Sequence, residues 1–274
     1  MGNTSPLLAE PFSRLTGAFA DSDRAAELER ALERAWREEV GNDRFAEPFS
    51  RVASAERLVL PNATSAASGE RIVISPVDTK GFGAARRLDG RGYALSTATL
   101  LSARFPAITP AGLHQASAGD WLRIVDGGYA DNSGAATGAD VLRALIAALD
   151  RTKLRGRFKP VVIAISNSEQ AGESEPSQAG LRTLTIGTLV DPVLTLDSVR
   201  AATSRRYEAE LRERVEAAGG RFFSGLRLPY RDVEIPLGWM LAPRSADVMD
   251  ARRRELAAHP SGDFQRIGAV LKGE

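Results

Sequence analysis

The chain has 274 residues, 43% of them apolar and 26% charged, which is typical of a soluble globular protein with one or two domains. Its 36 basic and 35 acidic residues nearly cancel, so no global field favours nucleic acid or an anionic membrane as a partner. The absence of cysteine excludes disulfides, thiolate catalysis and thiolate metal sites. The two histidines lie far apart in sequence and do not suggest a metal site.

The N-terminal sequence MGNTSPLLAE lacks a basic region followed by an apolar core. No run of about eighteen apolar residues follows, so we expect a soluble chain, either cytoplasmic or peripheral to a membrane. Pro6 stands where a myristoylation motif requires Ser or Thr. The bias toward Arg and Ala over Lys indicates a GC-rich genome and hints at a bacterial source.

Residues 22–40 predict an amphipathic helix with Ser22 or Asp23 as its N-cap. Residues 57–65 and 71–78 predict two short strands, and residues 79–92 predict a loop. The Gly-Phe-Gly of this loop lacks the third glycine of a dinucleotide fingerprint, so it does not predict phosphate binding. The apolar face of the helix predicted at 22–40 would comprise Ala25, Leu28, Leu32, Ala35, Trp36 and Val40.

The middle of the chain predicts a strand, a tight glycine turn and a helix. Residues 95–104 predict a helix that stops at Phe105-Pro106, and residues 122–125 predict a buried strand that runs into Asp126. The helix after the turn has three candidate caps and an apolar stripe. The caps are Asp131, Asn132 and Ser133, and the stripe is Val141, Leu142, Leu145, Ile146 and Leu149.

The last third of the chain predicts a strand at 160–166 covered on both faces, a polar loop at 166–180 and a helix at 197–217. We interpret the basic residues of this helix, including Arg205 and Arg206, as a solvated face and not as an RNA or lipid site. Alternating strands and helices predict an α/β fold. A strand at 221–228 and a helix at 245–258 are predicted to follow. The helix at 197–217 is predicted to turn six residues inward: Leu196, Val199, Thr203, Tyr207, Leu211 and Val215.

The sequence LRIVDGGYADNSG at 122–134 leaves a carboxylate, Asp126, where a buried strand ends. In α/β sheets, functional groups gather at the carboxyl ends of strands. Gly127 and Gly128 permit backbone angles closed to other residues and let a ligand or a second loop approach the main chain. Spacing alone leaves two interpretations open, a turn cap with no further role and a functional carboxylate.

The sequence LSTATLLSARFPAITPAG followed by LRIVDGGYADN resembles the patatin-like phospholipases, a family of serine acyl hydrolases. The preceding LPNATSAASGERIVISP is similar to the paired strands of that family. The likeness covers roughly residues 20–255 and is most specific over 57–140. It implies a three-layer α/β fold, one sheet between helices, incomplete at its N-terminal side. Residues 1–274, with a core at 20–258, would be the C-terminal part of such a domain.

The resemblance implies that Asp126 is the general base of a Ser-Asp dyad, which takes the serine proton and returns it to the leaving group. A carboxylate can serve as this base if its site is dry enough to raise its basicity. Gly127 and Gly128 would shape the turn, and Tyr129 and Asn132 would support it. The implied substrate is a lipid ester, most plausibly a phospholipid, and no metal or organic cofactor is implied.

The family's Gly-x-Ser-x-Gly elbow and its glycine-rich oxyanion loop are absent from this sequence. Residues 172–176 form the nearest candidate elbow but end in Pro176, and Gly219-Gly220 is expected to close a helix. Because both motifs precede the aligned region in the family, the chain corresponds to its downstream half. Four explanations for the missing motifs stay open. Either the gene start is misassigned or broken, or the chain is an inactive descendant that binds lipid or protein, or another polypeptide completes the site, or the chain is a purely structural α/β domain.

Overall fold

The computed structural model describes residues 24–52, 57–77, 83, 85–104, 109–117, 120–152, 154–166, 187–227, 243–258, 260 and 262–272. These residues form both helices and strands, in agreement with the predicted α/β class, but the predicted strict alternation is wrong because several strands follow one another directly. The chain divides into two compact units. Unit 1 comprises Met1–Arg151 and Asp197–Tyr207, and unit 2 comprises Thr152–Leu196 and Glu208–Glu274.

Unit 1 contains a five-stranded mixed sheet. Its strand order is β3-β2-β1-β5-β4, and β2 and β3 are parallel whereas the other neighbours are antiparallel. The predicted loop at 79–92 is wrong for its second half, because β3 buries Leu88 between charged neighbours. The strands are β1 Asn62–Ser65, β2 Arg71–Ser75, β3 Arg86–Asp89, β4 Gly112–Ser117 and β5 Asp120–Asp126.

The helices of unit 1 lie on both faces of this sheet. Ala63, Ile72 and Ile124 share one face and pack with residues of α3 in a single core cluster. Arg71 is adjacent to Ile72 and therefore points to the opposite face, where its guanidinium contacts α5. The helices are α1 Arg24–Val40, α2 Phe49–Val52, α3 Leu95–Ser102, α4 Gly128–Asp131 and α5 Ala135–Asp150, with a 3₁₀ turn at Arg44–Ala46.

Two predicted apolar stripes are only partly buried. In α1, Ala25 is buried, but Ala35 and Val40 are exposed. In α5, Leu142 is buried, whereas Leu145 is exposed. Both helices contact the rest of unit 1 largely through polar groups and small side chains, so large apolar residues at the stripe edges stay in solvent. Ser22 and Asp23, the predicted caps of α1, lie outside the described residues.

Unit 2 contains a two-stranded parallel sheet, with Val161 of β6 opposite Arg221 of β7. The prediction that β6 is covered on both faces is wrong, because Val161, Ile163 and Ile165 are exposed, the last by 76%. These residues alternate along the strand and so share one open face. The elements are a 3₁₀ turn at Arg155–Arg157, β6 Val161–Ser166, β7 Arg221–Arg227, α7 Pro243–Ala258 and α8 Gly262–Lys272.

The helix predicted at 197–217 begins ten residues earlier, as α6 Gly187–Ala217, and contributes residues to both units. Leu211 and Val215 are buried as predicted, but Val199 is 56% exposed, so its inward placement was wrong. Residues 167–186, which include most of the predicted polar loop, lie outside the described residues. None of the helices in the described part of the chain is long and apolar enough to span a bilayer.

A buried ion pair connects β2 to α5. The Asp140 carboxylate is 4% exposed, and it accepts hydrogen bonds from the guanidinium groups of Arg71 and Arg143, the latter at 2.7 Å. Arg71 also donates to the Thr137 hydroxyl. Gly83 approaches this carboxylate so closely that a Cβ there would lie 2.2 Å from Asp140 Oδ1. On the face of the sheet opposite α3, charge pairing therefore holds α5 against β2.

We predict that Asp140→Ala lowers the free energy of unfolding by about 3 kcal/mol or more, because it leaves the Arg71 guanidinium buried without its partner. Asp250→Ala is the matched control, since Asp250 also accepts from two arginines, Arg253 and Arg254, but on an exposed helix surface. Chemical denaturation measures both variants. Equal, small losses would contradict a structural role for the buried pair.

Candidate functional site

Asp126 is the last residue of β5 and lies opposite Ala63 of β1. Its main chain is held from two sides. The amide N–H donates to the Arg104 carbonyl at 3.0 Å, and the carbonyl accepts from Thr64 Oγ1 at 2.9 Å. The strand end that presents the carboxylate is therefore fixed by the end of α3 and by β1.

The half-buried Asp126 carboxylate uses its two oxygens differently. Oδ1 accepts the N–H of Gly128 at 2.6 Å, which fixes the rotation of the carboxylate. No donor among the described residues lies on Oδ2. Within the described residues, one oxygen is thus engaged in shaping the turn and the other is not.

The two glycines after Asp126 are needed because neighbouring atoms leave no room for a Cβ, and not because their backbone angles exclude other residues. Gly127 has φ −64° and ψ −25°, in the right-handed helical region, and neither glycine has a positive φ. The expectation of unusual backbone angles at these glycines is therefore wrong. The expected close approach is confirmed, because a Cβ on Gly127 would lie 2.2 Å from the Asn62 carbonyl oxygen. A Cβ on Gly128 would lie 2.3 Å from Arg200 Nη2.

The two predicted supporting residues meet at one arginine, Arg200 of α6, which belongs to unit 1. Its Nε donates to the Gly128 carbonyl at 2.8 Å, and its Nη2 donates to Asn132 Oδ1 at 3.3 Å. The guanidinium lies 5.0 Å from the centroid of the Tyr129 ring. Burial raises the pKa of the Tyr129 phenol, the Arg200 charge opposes this shift, and Asp126 adds to it.

The N-cap residue of α5 is Gly134, which is none of the three predicted caps. The buried Asp131 carboxylate nevertheless accepts the N–H of Thr137, in the first turn of the helix, at 3.0 Å. Ser133 Oγ accepts the N–H of Ala135 at 3.3 Å, and Asn132 instead bonds to Arg200. Gly134 precedes the helix with φ 71°, a conformation that favours glycine. The segment after Asp126 is therefore held at both of its ends.

No serine among the described residues donates to the Asp126 carboxylate. Ser96 is fully buried, and its hydroxyl donates to Glu33 at 2.6 Å. Ser102 lies beside the turn, but its hydroxyl donates to the Asn62 carbonyl at 2.5 Å. The rejected elbow at 172–176 lies outside the described residues. Gly219, with φ 74°, follows the last residue of α6, which confirms that this glycine pair closes a helix.

Sequence reasoning missed two residues of the site. Arg200 follows Gly128 by 72 positions, and it was included in a helix whose basic side chains were interpreted as solvated. That interpretation holds for Arg205 and Arg206, which are exposed, but not for Arg200. Asn62 lies within the strand predicted at 57–65 and was assigned no role, although its side chain bonds to Thr137 at 2.7 Å. No local pattern distinguishes either residue, because both act across long sequence separations.

No protein-family model, no curated protein and no solved structure matches this chain. Among the described residues, no three His, Asp or Glu side chains group closely enough to hold a metal ion.

We predict that Gly127→Ala destabilises the protein more than Gly128→Ala. The first Cβ would collide with a main-chain carbonyl of β1, which cannot move alone, whereas the second would meet only side-chain atoms, those of Arg200, Asn132 and Asp126. The expected loss for Gly127→Ala is about 1–3 kcal/mol, the scale of overpacking. Gly92→Ala, at a position with open space, is the control. Denaturant unfolding gives the ranking, and the reverse order would contradict this packing.

Proposed function

We propose that this chain supplies the aspartate half of a patatin-like serine acyl hydrolase. The substrate would be a carboxylic ester of a lipid, most plausibly a phospholipid, and the chemistry would need no metal or organic cofactor. The observation that supports this proposal best is the asymmetry of Asp126. One oxygen is fixed by the Gly128 amide, and the other has no donor among the described residues.

This asymmetry suits a general base. The base must lie in one orientation and must offer a lone pair to the hydroxyl proton of serine. In the proposed reaction, Oδ2 takes that proton while serine Oγ bonds to the ester carbonyl carbon. The carbon–oxygen bond to the alcohol then breaks, and the alkoxide takes the proton from Asp126. Water, activated in the same way, releases the acyl group from serine.

The proposal extends to the fold. The five-stranded sheet of unit 1, with helices on both faces, would be the downstream part of a three-layer patatin-like domain. The nucleophilic serine and the oxyanion loop would belong to an upstream segment or to a partner chain. Residues 57–140 of this chain, where the likeness is most specific, would supply Asp126, Gly127 and Gly128. Tyr129 and Asn132 would support them.

A second candidate is a catalytically inactive domain that binds lipid or protein on the same scaffold. Leu113 and Trp121 favour it, because they are 65% and 56% exposed on one face of the β4–β5 hairpin. Their register partners place both side chains on the face opposite the core residues Leu122 and Ile124. Exposed apolar side chains of this size are typical of interaction surfaces.

We predict that the 274-residue chain is not labelled by a fluorophosphonate probe. Such reagents need an activated serine beside an oxyanion hole, and Ser96 and Ser102 are bonded elsewhere. Intact-mass spectrometry after treatment is the measurement, with a known serine hydrolase as the positive control. Stoichiometric labelling would contradict the half-site assignment, and Ser96→Ala and Ser102→Ala would then locate the nucleophile.

We predict that Asp126→Asn lowers ester turnover by roughly 10²-fold or more when the serine-bearing region is present, as an extension or as a mixed partner. Asn can still accept the Gly128 N–H but cannot take a proton from serine. Asp120→Asn, at the exposed start of the same strand, is the matched control. Phospholipid ester hydrolysis and the melting temperature are measured together. Parental turnover in a folded Asp126→Asn protein would eliminate the base assignment.

A further inference from the structure

Arg200 lies against the turn that follows Asp126. It contacts three of its residues, through the Gly128 carbonyl, the Asn132 amide oxygen and the face of the Tyr129 ring. The planar fork of arginine can make the two hydrogen bonds and the ring contact together, which a lysine ammonium cannot. The position is half-buried, so the three contacts are partly shielded from water.

The guanidinium also lies close to the Asp126 carboxylate without pairing with it. Arg200 Nη2 and Asp126 Oδ1 lie 2.3 and 2.9 Å from the point that a Cβ on Gly128 would occupy. The two atoms are therefore no more than about 5 Å apart, a range at which opposite charges still attract. Oδ1 bonds to the Gly128 amide, and no donor in the described part of the chain, Arg200 included, lies on Oδ2.

We propose that Arg200 is the positioning residue for Asp126, an inference that rests on the proposed function of that carboxylate. By holding the Gly128 carbonyl, Arg200 fixes the peptide unit next to the amide that binds Oδ1. By holding Asn132, it prevents α4 from rotating away from the strand end. A side chain at Gly128 would collide with Arg200, and also with the side-chain oxygens of Asn132 and Asp126.

The mechanism acts on orientation. A carboxylate displaced by about 1 Å can lose roughly 10²-fold in rate, because the lone pair no longer points at the serine hydroxyl. Substrate binding does not depend on this alignment, so the loss falls on kcat and leaves KM unchanged. A residue that only stabilised the fold would not produce this split in a protein that is still folded.

The test compares Arg200→Ala with Arg205→Ala, an exposed arginine on the same helix. The first readout is hydrogen exchange of the Gly128 amide, followed by NMR in the 274-residue chain alone. We expect exchange to be roughly tenfold faster or more in Arg200→Ala, with β1 and β2 amides unchanged, and parental in Arg205→Ala. Unchanged Gly128 exchange in Arg200→Ala would overturn the positioning role, whatever the activity shows.

The second readout is kinetic and uses the chain together with its serine-bearing region. We expect Arg200→Ala to lower kcat by about ten- to a hundredfold with KM unchanged. An increase in KM at parental kcat would overturn the proposal in favour of a substrate-binding arginine. If the parent shows no ester hydrolysis, the proposed function fails, and the exchange experiment still decides the role of Arg200.

A third comparison covers the case in which Arg200→Ala does not fold. Arg200→Lys keeps the charge and the stem but cannot hold the Gly128 carbonyl and Asn132 together, so we expect the same direction of change in Gly128 exchange. Parental Gly128 exchange in Arg200→Lys would show that charge alone suffices and would overturn the clamp.

Discussion

The start of β1 is the constraint on which the geometry of the Asp126 turn depends. The Asn62 carbonyl accepts the Ser102 hydroxyl of α3 and lies against Gly127, so no side chain fits at that position. The Asn62 amide bonds to Thr137 and, at 3.4 Å, to Asp131. One strand residue thereby links α3, the turn and the start of α5.

The packing of α5 against β2 depends on buried charge. Arg71 connects Thr137 to Asp140, and Asp131 accepts a first-turn N–H of the helix that carries both residues. Breaking such a pair is costly because a charge is left without its partner away from water. The network therefore holds α5 in one register against β2, and it fixes the residues that follow the glycine turn. Fold and site share the same polar contacts.

The parts of this arrangement that local sequence specifies were predictable. A strand ending at Asp126, two closely packed glycines and a following helix all follow from short-range patterns. The full burial of that strand was predicted wrongly, because Leu122 and Ile124 are buried whereas Trp121 and Arg123 are exposed. The edge strand β3 was not predictable, since it buries only Leu88 and has charged residues at its other positions.

Contacts between distant residues were also beyond local reasoning. Arg200 is placed by tertiary packing across 72 positions, and nothing in its own helix distinguishes it from Arg205. The glycine angles were inferred from residue type, but the actual constraint comes from Asn62 and Arg200. The exposed face of β6 shows the same limit, because an apolar run predicts burial without saying what covers it.

The most direct test of this account is an experimental structure of the chain together with its serine-bearing region. The account predicts that a serine hydroxyl lies within about 2.6–3.2 Å of Asp126 Oδ2, while Oδ1 remains on the Gly128 amide. A structure in which Oδ2 accepts a hydrogen bond from another part of the chain, with the serine elsewhere, would contradict it.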